Sequence, residues 1–257
     1  MCEEVLEIVM PRFFVRQNQI ADGIVNIVGD DARHISRSLR MAAGECITVS
    51  DMQRNEYECE LKTFSDTLVT AQITSQRQAD TEPNFKAHLY QALPKGEKLD
   101  YIIQKAVECG VTEITTFESE RCIAKEKDPD GKKLSRRQRI SLEAAKQSGR
   151  GIVPQINSTV TYEKMLDEAS RADIVLFCYE GEGTLPMRKV ISDKLLSLGK
   201  ENPSVAIVIG SEGGFSLREA ERARERGFSL IGLGKRILRT ETASGFVLSC
   251  LVYEFEL

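Results

Sequence analysis

The feature that most constrains the fold is the alternation of strand-like and helix-like segments after residue 84. Almost unbroken apolar runs such as "SVAIVIG" are separated by segments whose apolar residues recur at helical spacing, as in "EKLDYIIQKAVECG". Strands buried on both faces read as such runs, and helices connect parallel strands. The pattern predicts an α/β domain over residues 84–257 with a mostly parallel sheet and helices on both faces. The predicted strands are 87–93, 111–117, 172–180, 204–210 and 228–234.

The residues before this domain have the texture of strands and turns. Runs rich in β-branched residues are separated by the turn-like segments "GE", "QRNE" and "SDT", which favours a small β-barrel. The polar, proline-containing segment "SQRQADTEPNFK" (75–86) is the predicted linker. We therefore expect a barrel domain over residues 1–80.

A single helix, "DDARHISRSLRMAAG", is predicted to interrupt the barrel. Ile35 and Leu39, with the alanines that follow, form its expected inner stripe. Arg33, Arg37 and Arg40 fall at positions i, i+4 and i+7 on the opposite face. This arginine stripe could contact phosphates, or it could be an ordinary exposed face.

Composition argues against several classes of protein. No apolar run approaches the roughly 18 residues of a membrane span, and "MCEEVLEIVMPRFF" lacks the basic and apolar regions of a secretory signal. Seven cysteines without a C-x-x-C pair indicate reduced thiols in a cytoplasmic protein. The two histidines, His34 and His88, are far apart in sequence, so we expect neither a metal site nor a Cys–His nucleophile.

Two glycine loops follow predicted strands. "IGSEGGFS" ends strand 204–210 and "GLGKRILRTETA" ends strand 228–234, and open α/β sheets bind ligands at the carboxyl ends of their strands. Neither loop matches the dinucleotide fingerprint or the P-loop, so a nicotinamide-dependent oxidoreductase loses its main support. Taken alone, the first loop is equally compatible with a tight strand-to-helix turn.

The charges of the two loops favour a cationic ligand over a phosphate. Glu212 and Glu241 make the predicted crevice acidic, and three basic residues of the second loop flank it. An amine or sulfonium group accompanied by hydroxyls suits this mixture. Ile237 and Leu238 could form an apolar wall for a flat ring, or they could merely anchor the loop to the core.

Seven motifs together resemble the bacterial 16S rRNA (uracil-N3) methyltransferases of the SPOUT superfamily. They are "MPRFFV", "RHISRSLRM", "QKAVECGV", "ESERC", "AAKQSGR", "IGSEGGFS" and "GLGKRILRTETA". The similarity runs from Met10, a second candidate for the initiating residue, to Leu257, and the last two motifs are the most specific. Ser211 departs from the proline that the family usually has there, and Cys109 departs from its usual leucine.

The resemblance implies an enzyme that uses S-adenosyl-L-methionine to methylate N3 of a specific uridine in the 16S rRNA of the small ribosomal subunit. It also implies an N-terminal PUA-like β-barrel that binds RNA, and a trefoil knot in the C-terminal domain, which no periodicity could show. A homodimer through the knotted domain is implied too. The final helix, apolar over more than one stripe, points the same way.

The motifs suggest residues for each role. The expected cofactor-binding residues are Gly210, Glu212, Gly213, Gly214, Leu233, Gly234, Ile237, Leu238 and Thr242. Arg121 and Arg239 are the candidate catalytic residues, because an arginine could stabilise the developing uracil anion. A carboxylate, either Glu212 or Glu241, could accept the proton. The expected RNA-binding residues are Arg12, Arg33, Arg37, Arg40, Gln147 and Arg150.

The segment between Arg121 and Arg150 supports an RNA partner. It contains ten Lys/Arg and four Asp/Glu, a local excess of +6 in a chain of net charge −4. A solvated helix face is the ordinary alternative. Two alternatives for the whole protein also stay open: a ribose 2′-O methyltransferase and a non-catalytic RNA-binding protein.

Overall fold

The chain forms two compact units in the computed structural model. The model describes residues 10–65, 67–126, 128, 130–199 and 201–257; Met1, the other candidate for the initiating residue, lies outside them. The first unit comprises the described residues up to Glu82 together with Gly149–Ile152, and the second comprises Pro83–Ser148 and Val153–Leu257. The return of four residues to the first unit falls inside the segment that the sequence pattern assigns to the second domain.

The first unit is built on a six-stranded sheet with the order β1-β4-β5-β6-β3-β2. The strands are β1 (Arg12–Phe14), β2 (Ile20–Ala21), β3 (Ile24–Val28), β4 (Cys46–Ser50), β5 (Asn55–Phe64) and β6 (Leu68–Gln78). β1 pairs with β4 in parallel, and the other pairs are antiparallel. Alternate residues such as Val25, Ile27, Ile47 and Val49 are buried in one core. β6 continues to Gln78, inside the predicted linker.

The helix between β3 and β4 is shorter than predicted and changes its pitch. α1 (Asp30–Arg33) is followed by a π-helical turn (His34–Ser38). A π turn bonds residue i to i+5, so the predicted inner stripe goes out of phase. Ile35 is fully buried, but Leu39 is 40% exposed and Arg40 lies beyond the helix with φ 54°. The predicted stripe is therefore wrong after Ile35.

The second unit confirms the predicted α/β class. Its seven strands pair wholly in parallel in the order β11-β13-β10-β12-β7-β8-β9. The strands are β7 (Lys86–Ala92), β8 (Val111–Glu118), β9 (Gln155–Thr161), β10 (Ile174–Cys178), β11 (Leu185–Pro186), β12 (Ser204–Ile209) and β13 (Ser229–Gly232). The helices are α2 (Lys98–Glu108), α3 (Lys132–Gln147), α4 (Tyr162–Ala169), α5 (Met187–Leu198), α6 (Leu217–Glu225) and α7 (Thr240–Glu256).

Three elements of this unit were not predicted. β9, "QINSTVT", is an edge strand with polar residues on one face, so it lacks the unbroken apolar run of the central strands. β11 has two residues. α4 carried a readable signal, because Tyr162, Met165, Leu166 and Ala169 follow helical spacing and are buried. Among the described residues, no helix combines the length and apolar character needed to cross a bilayer.

Candidate functional site

A cavity of about 760 Å³ lies at the carboxyl ends of three neighbouring strands of the second unit. The loops after β10, β12 and β13 form its walls together with the start of α7. Because β13, β10 and β12 are adjacent and parallel, their ends meet at one edge of the sheet. Of the nine predicted cofactor-binding residues, all but Thr242 line this cavity.

The loop after β12 is a tight turn with internal bonding. The Gly214 N–H donates to the Ser211 carbonyl at 2.9 Å. Gly214 has φ 63°, a conformation that residues with a side chain rarely adopt. Phe215 ends the turn as a buried anchor, 4% exposed, with its ring 4.3 Å from that of Phe177. The loop therefore has a fixed shape.

The negative charge of Glu212, in the middle of this loop, is balanced by a lysine of the protein. Glu212 Oε1 accepts from Lys98 Nζ at 2.8 Å and from the Lys95 N–H at 3.1 Å. Burial alone raises the pKa of Glu212, but the hydrogen bonds from Lys98 and Lys95 outweigh it and hold the pKa below its usual value. A carboxylate held ionised in this way is a poor proton acceptor, so the geometry disfavours Glu212 as the base.

Glu241, the other candidate base, lies in the first turn of α7. Lys98 Nζ is 3.5 Å from its Oε2, and Arg239 Nη1 is 4.0 Å from its Oε1. Within the described part of the chain, the buried Oε2 accepts no hydrogen bond. Glu241 thus has an ion pair with Lys98 but no hydrogen bond at this oxygen, and it does not line the cavity as predicted.

The two candidate catalytic arginines line the same cavity from different elements. Arg121 follows β8, and its Nη1 donates to the carbonyl of Gly213 at 3.0 Å, which fixes the guanidinium against the first glycine loop. Arg239 ends the loop after β13, and its side chain is 82% exposed. Both arginines are exposed, and Arg121 differs in that its guanidinium is hydrogen-bonded to the first glycine loop.

Sequence reasoning missed a third wall and misplaced one residue. The loop after β10, "CYEGEGTL", lines the cavity through Tyr179 and its neighbours; its two glycines after a predicted strand are the signal that found the other loops. Thr240, instead of the exposed Thr242, faces the cavity. The Thr240 hydroxyl donates to the Gly210 carbonyl at 2.7 Å and accepts from the buried Gln91 amide at 2.9 Å.

Two of the predicted RNA-binding arginines are paired with buried acids. Arg150 is 2% exposed, and its Nη2 lies 2.7 Å from Oε2 of Glu82. Arg12 is half-buried and pairs with Glu56, whose side chain is 2% exposed. Separating a buried ion pair is strongly destabilising, so Arg150 is a structural residue and the sequence-based assignment is wrong for it. The assignment of Arg12 to RNA binding stays a prediction.

The other predicted RNA-binding residues lie at the surface. Arg33, Arg37, Arg40 and Gln147 are all exposed, although Arg33 already pairs with Asp30. Within the basic segment several charges are paired in the described structure: Arg137 with Glu126, Arg136 with Asp100 and Lys125 with Glu118. Lys127 lies outside the described residues. The free positive charge of this segment is accordingly smaller than the sequence count.

The fold and the cavity define the class of protein. Residues 81–252 match the model of a family described as an RNA methyltransferase domain. The chain is 33% identical to the ribosomal RNA small subunit methyltransferase E of Bacillus subtilis (strain 168), over 96% of this chain and 98% of that protein. The chain belongs to this family of ribosomal RNA small subunit methyltransferases, as its motifs indicate.

Solved structures show the same fold over nearly the whole chain. The ribosomal RNA small subunit methyltransferase E of Neisseria gonorrhoeae, bound to S-adenosyl methionine, has a TM-score of 0.82 and 29% identity, with 96% of this chain and 98% of that chain covered. A putative methyltransferase from Legionella pneumophila with the same bound cofactor has a TM-score of 0.82 and 28% identity, with 95% and 98% covered. Both units are therefore part of the shared fold.

Proposed function

We propose that this protein transfers a methyl group from S-adenosyl-L-methionine to N3 of a specific uridine in the 16S rRNA of the small ribosomal subunit. The observation that carries the proposal is the cavity at the ends of β10, β12 and β13. It brings two motifs that resemble those of uracil-N3 methyltransferases together around one cavity, in a fold whose relatives bind this cofactor. When bound, S-adenosyl-L-methionine supplies an electrophilic methyl group.

The residues present fit this cofactor. A volume of about 760 Å³ is within the usual range of small-molecule sites. Ile237 and Leu238 offer apolar surface for the adenine ring, and the backbone of the two glycine loops offers donors and acceptors for the ribose and the methionine part. Within the described structure, the buried hydroxyl of Ser211, which lines the cavity, lacks a hydrogen-bond partner. Such an unfilled atom supports a site that a polar ligand completes.

The chain's own residues orient the base and manage its charge. Uracil becomes nucleophilic at N3 when it loses the N3 proton, and the resulting anion needs a cation close by. We assign that stabilisation to Arg121, held by its bond to the Gly213 carbonyl, with Arg239 as the second cation. Neither candidate acid fits as the proton acceptor, because Glu212 is held ionised by Lys98 and Lys95 and Glu241 does not line the cavity.

The remaining parts of the proposal concern fold and assembly. We assign the first unit as a PUA-like barrel that binds RNA through the exposed Arg33, Arg37 and Arg40, in a cytoplasmic enzyme. We also propose a trefoil knot in the second unit, as the resemblance implies; α7 packs against β12 and β7, which lie beyond β10 from β13 in the sheet.

We also propose a homodimer through α7. Leu251 is fully buried within its own chain, whereas Phe246 and Tyr253 on the same helix are 39% and 71% exposed. Exposed aromatic residues on a helix whose other face is buried are typical of an interface with another chain. A second copy that packs on this face would also lie near the cavity, because α7 begins at Thr240 in its wall.

The decisive experiment locates the methyl group. Small ribosomal subunits that lack the modification are incubated with the protein and isotopically labelled S-adenosyl-L-methionine, and the nuclease digest is compared with 3-methyluridine and 2′-O-methyluridine standards by mass spectrometry. Label in 3-methyluridine is the expected result. Label in the ribose would make the protein a 2′-O methyltransferase. RNA binding without label would leave it a non-catalytic RNA-binding protein.

A further inference from the structure

Lys98 stands where three elements of the cavity wall meet. Its Nζ lies 2.8 Å from Glu212 Oε1 in the loop after β12 and 3.5 Å from Glu241 Oε2 in the first turn of α7. Lys98 itself begins α2, and the Lys95 N–H just ahead of that helix donates to Glu212 at 3.1 Å. One ammonium group therefore joins the glycine loop, the start of α2 and the start of α7.

The two acids would repel each other without this lysine. Their side chains are 27% and 17% exposed, so solvent screens them less than it screens acids on an open surface. The other cations nearby are differently engaged. Arg239 is 4.0 Å from Oε1 of Glu241 and is largely in solvent, and Arg121 is directed at the Gly213 carbonyl. Lys98 is thus the cation placed between the two carboxylates.

The position of these acids matters for the shape of the cavity. Glu212 sits in the middle of the turn that carries Gly213 and Gly214, and Glu241 follows Thr240, whose hydroxyl is bonded to the Gly210 carbonyl. Both acids are therefore attached to, or directly beside, backbone that lines the cavity, and Lys98 ties the two segments together. An outward movement of Glu212 would open the first glycine loop.

We infer that Lys98 is a positioning residue for the cofactor: by bridging Glu212 and Glu241 it holds the glycine loop and the start of α7 in the arrangement that binds S-adenosyl-L-methionine. The inference rests on the proposed function, because it assigns a cause to the shape of that same site. Lys98 acts through the two acids and takes no part in the transfer of the methyl group.

The test compares Lys98→Met, which keeps the length of the side chain and removes its charge, with Lys98→Arg. Isothermal titration with S-adenosyl-L-methionine gives the Kd of each. We expect Lys98→Met to weaken binding about tenfold or more, since it removes the ammonium group that bridges the two acids, and Lys98→Arg to stay within about threefold of the wild type. Lys105→Met, which breaks a half-buried ion pair with Glu108 on the same helix, is the matched control and should bind normally.

One readout separates a charge bridge from simple loss of packing. The double variant Lys98→Met/Glu212→Gln removes one of the two acids, so it should bind more tightly than Lys98→Met. A loss that the second substitution does not relieve would overturn the inference.

The outcomes distinguish this inference from the proposed function. If the wild-type protein does not bind S-adenosyl-L-methionine, the proposed function fails. If the wild type binds and a folded Lys98→Met binds equally well, the positioning role alone fails. Should Lys98→Met not fold, the double variant decides: a folded protein that binds the cofactor supports the bridge, and a folded protein that does not bind overturns it.

Discussion

The loops after β12 and β13 carry the same sequence signal, glycines at the end of a buried strand, yet they differ in physical character. The first is held at several points: Gly214 bonds Ser211, Glu212 bonds Lys98, and Phe215 is buried in the core. The second presents its residues to solvent, and Ile237 is 82% exposed. A glycine pattern therefore predicts where a ligand approaches, but not whether the loop is already in its final shape.

The difference suggests a division of work at the cavity. The loop after β12 is a preformed surface, so it binds without a large loss of conformational entropy. The loop after β13 exposes an apolar side chain. A ligand that covers this side chain removes apolar surface from water, which makes the free energy of binding more favourable. On this view one wall defines the position of the cofactor and the other closes on it.

The largest effect is expected from a side chain in the fixed loop. Gly214→Val places a β-branched residue at φ 63°, with its side chain in the open space of the cavity. We expect cofactor affinity to fall about a hundredfold or more in calorimetric titration. Gly234→Val, at φ 101° in the exposed loop, should cost about tenfold, because that loop can shift. Equal losses of cofactor affinity at Gly214 and Gly234 would show that the two loops do not differ in rigidity.

A control variant separates the effect of backbone strain from the effect of a side chain that occupies the cavity. Gly227 has φ 77° after α6 and an added Cβ there would meet open space, but it does not line the cavity. Gly227→Val should lower the unfolding temperature as Gly214→Val does and leave cofactor affinity unchanged.

The next effect concerns the arginine that is fixed by the first loop. Arg121→Ala should lower the single-turnover rate of methyl transfer about a hundredfold, as expected when a group that stabilises an anion is removed. The Kd for the cofactor should stay within about threefold, and Arg239→Ala should have a smaller effect on the rate because that side chain is 82% exposed. A normal rate in a folded Arg121→Ala protein would remove Arg121 from the mechanism.

A smaller effect tests the exposed wall directly. Ile237→Ala should weaken cofactor binding about fivefold and leave the unfolding temperature unchanged, since Ile237 is exposed in the free protein. Phe215→Ala is the contrasting variant. Its ring is buried, so we expect a loss of about 3 kcal/mol in the free energy of unfolding. If Ile237→Ala lowered the free energy of unfolding more than Phe215→Ala, the loop after β13 would be the fixed loop and the loop after β12 the mobile one.

The smallest effect is a dependence of stability on pH. The pKa of Glu212 lies below its usual value of 4.5 in the folded protein. Its ion pair therefore stabilises the fold above that pH, and the contribution is lost as the pH falls through the lower, folded-state pKa. Thermal unfolding between pH 6 and 3 should show a less steep decline for Glu212→Gln than for the wild type. Parallel curves would mean that the pair adds nothing to stability.

The sequence predicts the architecture of the second unit better than its details. Buried central strands can be recognised in the sequence as apolar runs. The edge strand β9 cannot be recognised in this way, because one of its faces is polar. The prediction of two cavity walls follows from glycines after strands, and the third wall could have been found in the same way. The shift from Thr242 to Thr240 follows from the start of α7, since two residues rotate a helix by more than half a turn.

Residue roles that depend on distant partners could not be predicted. Arg150 looks like a basic residue in a basic segment, but its environment is set by Glu82, 68 positions earlier in the chain. The same holds for Lys98, whose partners are more than a hundred residues later. A local pattern records the charge of a side chain, and the fold decides whether that charge faces solvent, a ligand or another residue.

The return of Gly149–Ile152 to the first unit has a consequence for the order in which the protein is made. The buried Glu82 carboxylate has its ion-pair and hydrogen-bond partners only after Arg150 and the N–H groups of Gly151 and Ile152 have bonded to it. A ribosome that adds roughly 5–20 residues per second needs between about 3 and 14 seconds to pass from Glu82 to Arg150. During that interval the nascent N-terminal unit carries an unmatched acid, so it cannot finish folding before α3 has left the ribosome.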